Sequence, residues 1–170
     1  GLLVRGDYPK MREAVARALE LGITYFDTAS MYGNGQSEVN LGAVLRELQA
    51  RHQVVVGTKV RIRSADELAN LTDFVTNSVE QSLRRLGMEQ IDLIQFHNRI
   101  GAKRAMDGDQ VNVTDVANVA ATFERLAQQG KVRHWGITGL GETLALHDVI
   151  KRGGLHTLQS CFNLLNPSAG

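Results

Sequence analysis

Four ionisable side chains of four different types follow short apolar or β-rich segments of this sequence. Asp27 and Tyr32, five residues apart, follow the first such segment, Lys59 ends the second, and His97 ends the third. In proteins built from parallel βα units, functional side chains gather at the carboxyl ends of the strands. If these segments are strands of one parallel sheet, the four side chains lie on the same rim.

These residue types together could reduce a carbonyl group. A tyrosine titrates at about 10 and is a poor proton donor at neutral pH unless a nearby cation favours its phenolate. Lys59 could supply that cation, Asp27 could keep the lysine charged and in place, and His97 could orient a carbonyl oxygen. Tyr32 would then protonate the oxygen while hydride reaches the carbon. Because no protein side chain delivers hydride, this chemistry requires a nicotinamide cofactor.

Five strands and the helices between them must position these side chains. The spacing of the strand segments leaves room for one helix each time, which predicts right-handed βαβ crossovers, a parallel sheet and an α/β fold. Val54 to Val56 form a continuous apolar run, which predicts a strand buried on both faces. The predicted strands cover 23–27, 53–59, 91–97, 132–138 and 157–162.

Helical periodicity fills the intervals between the strands. A polar loop is predicted over 98–113, with Lys103, Arg104, Asp107 and Asp109, and Thr114 is the expected N-cap of the helix that follows. The other predicted helices cover 11–19, 37–50, 72–86 and 142–151. Two architectures fit: an open doubly wound sheet, or part of an eight-stranded βα barrel, which normally needs about 250 residues.

Composition excludes several classes of function. The 170 residues, 43% of them hydrophobic, predict a single domain over 1–170. The near balance of 19 Lys and Arg against 18 Asp and Glu excludes the basic face of a nucleic-acid binder. No apolar run is long enough for a membrane span or a secretory signal. The single Cys161, expected in an apolar strand, excludes a disulfide framework, and no histidine spacing indicates a metal site. We therefore expect a soluble, cytoplasmic protein.

Several segments resemble signatures of the aldo-keto reductase superfamily, and the resemblance covers essentially the whole chain. It implies a (β/α)8 TIM-barrel fold, of which about five βα units are present as an incomplete barrel. These correspond to barrel strands two to six, and strands one, seven and eight have no counterpart here. The segments that carry the resemblance are 22–29 with Tyr32 and Gly33, 35–38, 57–59, 82–87, 91–93 with His97, 131–138 and 159–165.

The resemblance also implies roles for individual residues. Tyr32 becomes the general acid, Lys59 the cation that activates it, Asp27 the partner of the lysine, and His97 the residue that orients the carbonyl. The implied reaction is the NAD(P)H-dependent reduction of an aldehyde or ketone to an alcohol, with NADPH as the cofactor and a small carbonyl compound as the substrate.

The family holds the nicotinamide amide with polar groups near the ends of the fifth and sixth barrel strands. This implies Thr138 and Gln159 as cofactor-binding residues. Thr138 and Gly139 replace the Ser-Asn pair seen in many members.

Other functions remain open at this point. The chain could be a non-catalytic partial barrel that binds cofactor weakly or only on assembly, because unpaired apolar edge strands at 23–27 and 157–162 invite self-association. Lys59 could instead form a Schiff base, as in barrel aldolases. Taken singly, Asp27 could be a turn residue and His97 a hydrogen-bonded structural residue.

Overall fold

The computed structural model describes residues 1–105 and 108–165. Its strands are Tyr25–Asp27 (β1), Val55–Val60 (β2), Ile91–Phe96 (β3), Arg99–Gly101 (β4), Gln110–Asn112 (β5), Val132–Thr138 (β6) and Thr157–Gln159 (β7). Its α-helices are Leu2–Arg5 (α1), Tyr8–Glu20 (α2), Gln36–Glu47 (α3), Ala65–Ala69 (α4), Leu71–Leu86 (α5), Val113–Gln128 (α6) and Thr143–Arg152 (α7). No helix in these ranges is long and apolar enough to cross a membrane.

Five strands form one parallel sheet in the order β1, β2, β3, β6, β7. Each strand pairs with the next along the chain, apart from the small β4–β5 sheet between them, so the order never reverses. A doubly wound sheet would reverse at a switch point. The structure therefore confirms the barrel-type architecture, here as a curled partial barrel, over the doubly wound alternative.

The outer face of the sheet and the inward faces of the helices form the hydrophobic core. Val56, Ile94 and Trp135 point to this side and are buried against helical residues such as Val75 and Phe123. Their neighbours in the strands point to the concave face, because side chains alternate across a strand. On that face Tyr25 and Val55 are paired in register and both are exposed. The prediction that the whole Val54 to Val56 run is buried is wrong for Val55, which is 43% exposed.

The predicted polar loop after β3 contains regular structure. Strands β4 and β5 pair in parallel, and Ile100 also forms a bridge with Gly141. Asp107, which the sequence placed in this loop, lies outside the described residues. The N-cap of α6 is Asn112 rather than Thr114, because Asn112 forms a reciprocal capping box with the buried Asp115.

The two edge strands are shorter than the sequence predicts. β1 begins at Tyr25 and β7 ends at Gln159, since each has a neighbour on one side only. Cys161 therefore lies beyond β7 and is exposed, which corrects the expectation that it is buried in a strand.

Candidate active site

A buried lysine connects the ends of the first two strands. Lys59 is next to the last residue of β2 and its side chain is only 2% exposed, whereas that of Asp27, the last residue of β1, is 32% exposed. The Lys59 Nζ donates to Asp27 Oδ2 at 2.5 Å and to the Thr28 carbonyl at 2.8 Å. The carboxylate and the carbonyl thus hold the ammonium at the carboxyl end of the sheet.

The loop after β1 brings Tyr32 to this ammonium. Lys59 Nζ lies 5.3 Å from the centroid of the Tyr32 ring, a distance at which a cation is attracted to an aromatic face. Gly33 and Gly35, with φ of 62° and 90°, turn the chain sharply after the tyrosine, and the Ser37 amide donates to the Tyr32 carbonyl. The tyrosine side chain remains accessible, since the residue is 40% exposed.

His97 follows β3 and is partly buried. Its backbone amide donates to the Val60 carbonyl, which continues the ladder with β2, and its Nδ1 lies 3.0 Å from Thr138 Oγ1. Burial lowers the pKa of His97, and the positive charges of Lys59 and Arg61 lower it further against the opposing charge of Asp27. The imidazole is therefore neutral at neutral pH.

Thr138 and Gln159 are the last residues of β6 and β7 and are register partners. The Gly139 amide donates to the Gln159 carbonyl at 2.8 Å, so the two strand ends stay together. Thr138 is buried, and its hydroxyl faces His97. Gln159 is partly buried on the neighbouring strand.

The six predicted site residues therefore lie at the ends of five adjacent strands or in the loops that follow them. Asp27, Lys59 and Tyr32 form one contact group, and His97 and Thr138 form a second. Gln159 lies beside the second group in strand register.

Asn98 lies beside the candidate site and was not predicted from the sequence. It is fully buried, and its side-chain amide accepts from the Ile62 backbone N–H at 2.8 Å and donates to the Ile62 carbonyl at 2.9 Å. Its Nδ2 also lies 3.2 Å from the Asp109 carbonyl, and the Asp109 carboxylate pairs with Arg61. The amide thus fastens the ends of β2 and β3 together directly beyond His97. The feature of the sequence that could have identified Asn98 is its position immediately after His97.

Tyr25 is a second missed neighbour. Its hydroxyl lies 3.3 Å from Asp27 Oδ1 and donates to it, while Asp27 Oδ2 binds Lys59. Burial, the charge of Asp27 and this hydrogen bond raise the pKa of Tyr25 to about 12. The hydroxyl therefore stays protonated and serves as a donor to Asp27. The signal was its spacing of two residues from Asp27, which places both on one face of a strand.

Buried hydrogen bonds of Glu38 and its neighbour Ser37 connect α3 to the strands that carry the candidate site. This glutamate is fully buried at the start of α3, where it accepts from the Thr58 hydroxyl at 2.6 Å and from Arg85 Nε at 2.5 Å. Ser37, beside it, accepts from the Thr28 hydroxyl at 2.8 Å. Because Thr28 also binds Lys59 through its carbonyl, α3 is tied to both strands that carry the lysine and its carboxylate.

Sequence comparison relates the chain to known proteins. A model of the aldo/keto reductase family matches residues 5–165. The chain is 32% identical over 157 residues to the aldo-keto reductase YhdN of Bacillus subtilis, covering 89% of this chain and 43% of that protein. It is 34% identical over 129 residues to L-galactose dehydrogenase of Arabidopsis thaliana, covering 74% of this chain and 37% of that protein. The chain thus spans less than half the length of these relatives.

Solved structures agree with this result. The holo form of aldo-keto reductase AKR11C1 from Bacillus halodurans superposes with a TM-score of 0.70 at 27% identity, covering 95% of this chain and 51% of that one. An aldo/keto reductase from Klebsiella pneumoniae, solved in complex with NADP and acetate, gives a TM-score of 0.70 at 25% identity, covering 94% and 50%.

Proposed function

The chain belongs to the aldo/keto reductase family, and from this premise we propose that it takes part in the NADPH-dependent reduction of an aldehyde or ketone to an alcohol. The observation that carries the proposal is the position of the buried Lys59 ammonium, which contacts the Asp27 carboxylate and lies against the ring of Tyr32. A cation fixed beside a tyrosine favours transfer of the phenolic proton.

Each side chain has a distinct part in this reaction. Tyr32 gives its proton to the carbonyl oxygen as the oxygen gains negative charge. Lys59 stabilises the phenolate that remains, and Asp27 holds the lysine in place. His97, neutral because burial and the cations of Lys59 and Arg61 lower its pKa, donates a hydrogen bond that orients the carbonyl.

The residues at the ends of β6 and β7 fit a nicotinamide cofactor. A hydroxyl from Thr138 and a primary amide from Gln159 offer both donors and acceptors, as the carboxamide of nicotinamide requires. When bound, the reduced cofactor supplies the hydride that no side chain can provide. The NADP in the Klebsiella pneumoniae structure supports NADPH as the cofactor proposed for this chain.

The test is NADPH-dependent reduction of a panel of aldehydes, measured for the wild type, Tyr32→Phe and a matched control, Tyr8→Phe. Tyr8 lies on α2, where its exposed hydroxyl donates to Glu47. We expect Tyr32→Phe to lower kcat by about 10²- to 10⁴-fold, the range for loss of a positioned general acid. Tyr8→Phe should keep wild-type kcat. A Tyr32→Phe protein that reduces aldehydes at the wild-type rate would contradict the role given to Tyr32.

A titration of the wild type with NADPH, followed by fluorescence, separates this proposal from the alternative of a non-catalytic partial barrel. Saturable binding together with aldehyde reduction supports a reductase. A chain that binds NADPH only when it self-associates, or does not bind it at all, would support the alternative. Borohydride trapping of a substrate on Lys59 would support Schiff-base chemistry instead.

A further inference from the structure

The hydroxyl of Thr138 has one proton and two possible hydrogen-bond partners, a ring nitrogen that donates or accepts according to its tautomer and a backbone carbonyl that can only accept. His97 Nδ1 lies 3.0 Å from Thr138 Oγ1, and the Phe96 carbonyl oxygen lies 3.4 Å from it. Hydrogen bonds from a hydroxyl to oxygen span about 2.5–3.0 Å and weaken as they lengthen. The proton of Thr138 is therefore better placed toward the ring nitrogen than toward the carbonyl.

A neutral imidazole carries one proton, on either Nδ1 or Nε2. His97 is neutral, since burial lowers its pKa and the charged groups that face it are Lys59 and Arg61, with Asp27 opposing them. If Nδ1 accepts a hydrogen bond from Thr138, the proton must be on Nε2. Only that form leaves a donor on the nitrogen remote from Thr138.

We propose that Thr138 is a positioning residue that donates to His97 Nδ1 and thereby holds the imidazole in the tautomer with Nε2 protonated, ready to donate to the carbonyl oxygen of the substrate. This inference rests on the proposed function, in which His97 orients that oxygen. Thr138 would thus act on the substrate through His97, in addition to any contact with the cofactor.

The surrounding structure fixes both partners. Thr138 is 3% exposed at the end of the seven-residue strand β6, so water does not compete for its hydroxyl. The backbone of His97 is held by the Val60 carbonyl on one side and, through the buried side chain of Asn98, by Ile62. The ring therefore has a defined position relative to the threonine.

A cofactor contact is compatible with this role. A hydroxyl has one donor and two acceptor lone pairs, so Thr138 can donate to His97 and still accept from the amide of nicotinamide. Gln159 is the register partner of Thr138, and its backbone carbonyl accepts from the Gly139 amide at 2.8 Å. Replacing its side chain leaves the Thr138 hydroxyl and His97 unchanged and therefore provides a comparison that tests the proposed cofactor contact.

The experiment measures the His97 tautomer directly, by two-bond ¹H–¹⁵N correlation spectra of ¹⁵N-labelled protein without cofactor. The His97 signals are assigned by their loss in His97→Gln. Thr138→Val removes the hydroxyl while keeping the shape of the side chain, and Thr138→Ser retains the hydroxyl. We expect protonated Nε2 in the wild type and in Thr138→Ser, and a mixture of tautomers in Thr138→Val.

Kinetics provide the second readout. Thr138→Val should lower kcat for aldehyde reduction about tenfold, as expected for one lost hydrogen bond. Gln159→Leu should raise KM for NADPH while leaving the tautomer unchanged. Protonated Nδ1 in the wild type would overturn the proposal. So would a tautomer in Thr138→Val identical to that of the wild type, whatever its KM for NADPH. Because the spectra need neither cofactor nor turnover, failure of the reductase assay would be seen separately.

Discussion

Two carboxylates near opposite ends of the sheet are paired with cations in opposite ways. At the carboxyl end, Lys59 is buried and its partner Asp27 is a third exposed. At the amino end, Asp92 is 6% exposed, and its partners Arg51 and Arg133 are 36% and 60% exposed. One end of the sheet thus buries the cation and the other buries the anion.

The partners of these groups explain the difference. Asp92 accepts from the Val56 backbone amide at 2.9 Å and forms an ion pair with Arg51, which donates to the carbonyls of Val54 and Gln90. This pair fastens backbone segments of β2 and β3 to each other. Lys59 instead reaches one carboxylate and one carbonyl and faces an aromatic ring. At the amino end the charges thus connect backbone segments, whereas at the carboxyl end they hold a cation at the place where the proposed reaction requires one.

The largest effect is expected on replacing the buried cation. Lys59→Met should lower aldehyde reduction by about 10²- to 10⁴-fold, because the phenolate of Tyr32 loses its stabilising charge. The free energy of unfolding should change by less than about 2 kcal/mol, since Asp27 can be hydrated and the methionine fills the buried space. Steady-state kinetics and urea unfolding measure the two quantities.

Lys131→Met is the matched control for that variant. Lys131 pairs with Glu80 at 2.7 Å, at the amino end of the sheet before β6, and is about one third exposed. It should keep wild-type kcat. Equal losses of activity in the two methionine variants would show that Lys59 has no special place in the reaction.

Replacing the buried anion, Asp92, should lower stability and leave activity unchanged, which is the reverse of the result expected for Lys59→Met. Asp92→Ala removes the acceptor for the Val56 amide and the partner of Arg51, and should lower the free energy of unfolding by about 2–4 kcal/mol. Asp92→Asn keeps a neutral acceptor and should lose less. Both variants should retain kcat under conditions where they remain folded. A large fall in kcat for folded Asp92→Ala would contradict the division between the two ends.

Much of the candidate site was predictable because it depends on strand order and strand ends. Parallel strands bring their carboxyl ends to one rim, so Asp27, Lys59 and His97 could be placed together from their positions after apolar segments. The bounds of β6 were predicted to the residue, 132–138, because glycines stand close to both of its ends, at Gly130 and Gly139.

The contacts that refine the site were not predictable from local patterns. Glu38 meets Thr58 and Arg85, and Asn98 meets Ile62, across separations of 20 to 47 residues. Neither hydrophobic periodicity nor turn preference indicates which polar side chains will be buried together. The edge strands were predicted too long for a related reason, since their ends depend on a neighbouring strand rather than on their own residues.

The smallest expected effect concerns the pH dependence of stability, and it compares a histidine at the carboxyl end of the sheet with one near the amino end. Burial and the cations of Lys59 and Arg61 lower the pKa of His97 in the folded chain, whereas an unfolded histidine titrates at about 6.5. Above that pH His97 is neutral in both states. As the pH falls below about 6.5 the unfolded chain binds a proton first, so stability is lost until the folded-state pKa is reached and no further below it.

We therefore expect His97→Gln to reduce the loss of stability between pH 7 and pH 5, in urea unfolding measured at closely spaced pH values. His52→Gln is the control, because His52 is exposed near the amino end of the sheet. It should leave the pH profile as in the wild type. If the stability of His97→Gln varied with pH as that of the wild type does, the neutral imidazole would not be the cause of the stability lost in acid. The expected result would mean that the neutral His97, which can donate a hydrogen bond at the rim, lowers the stability of the folded chain in acid.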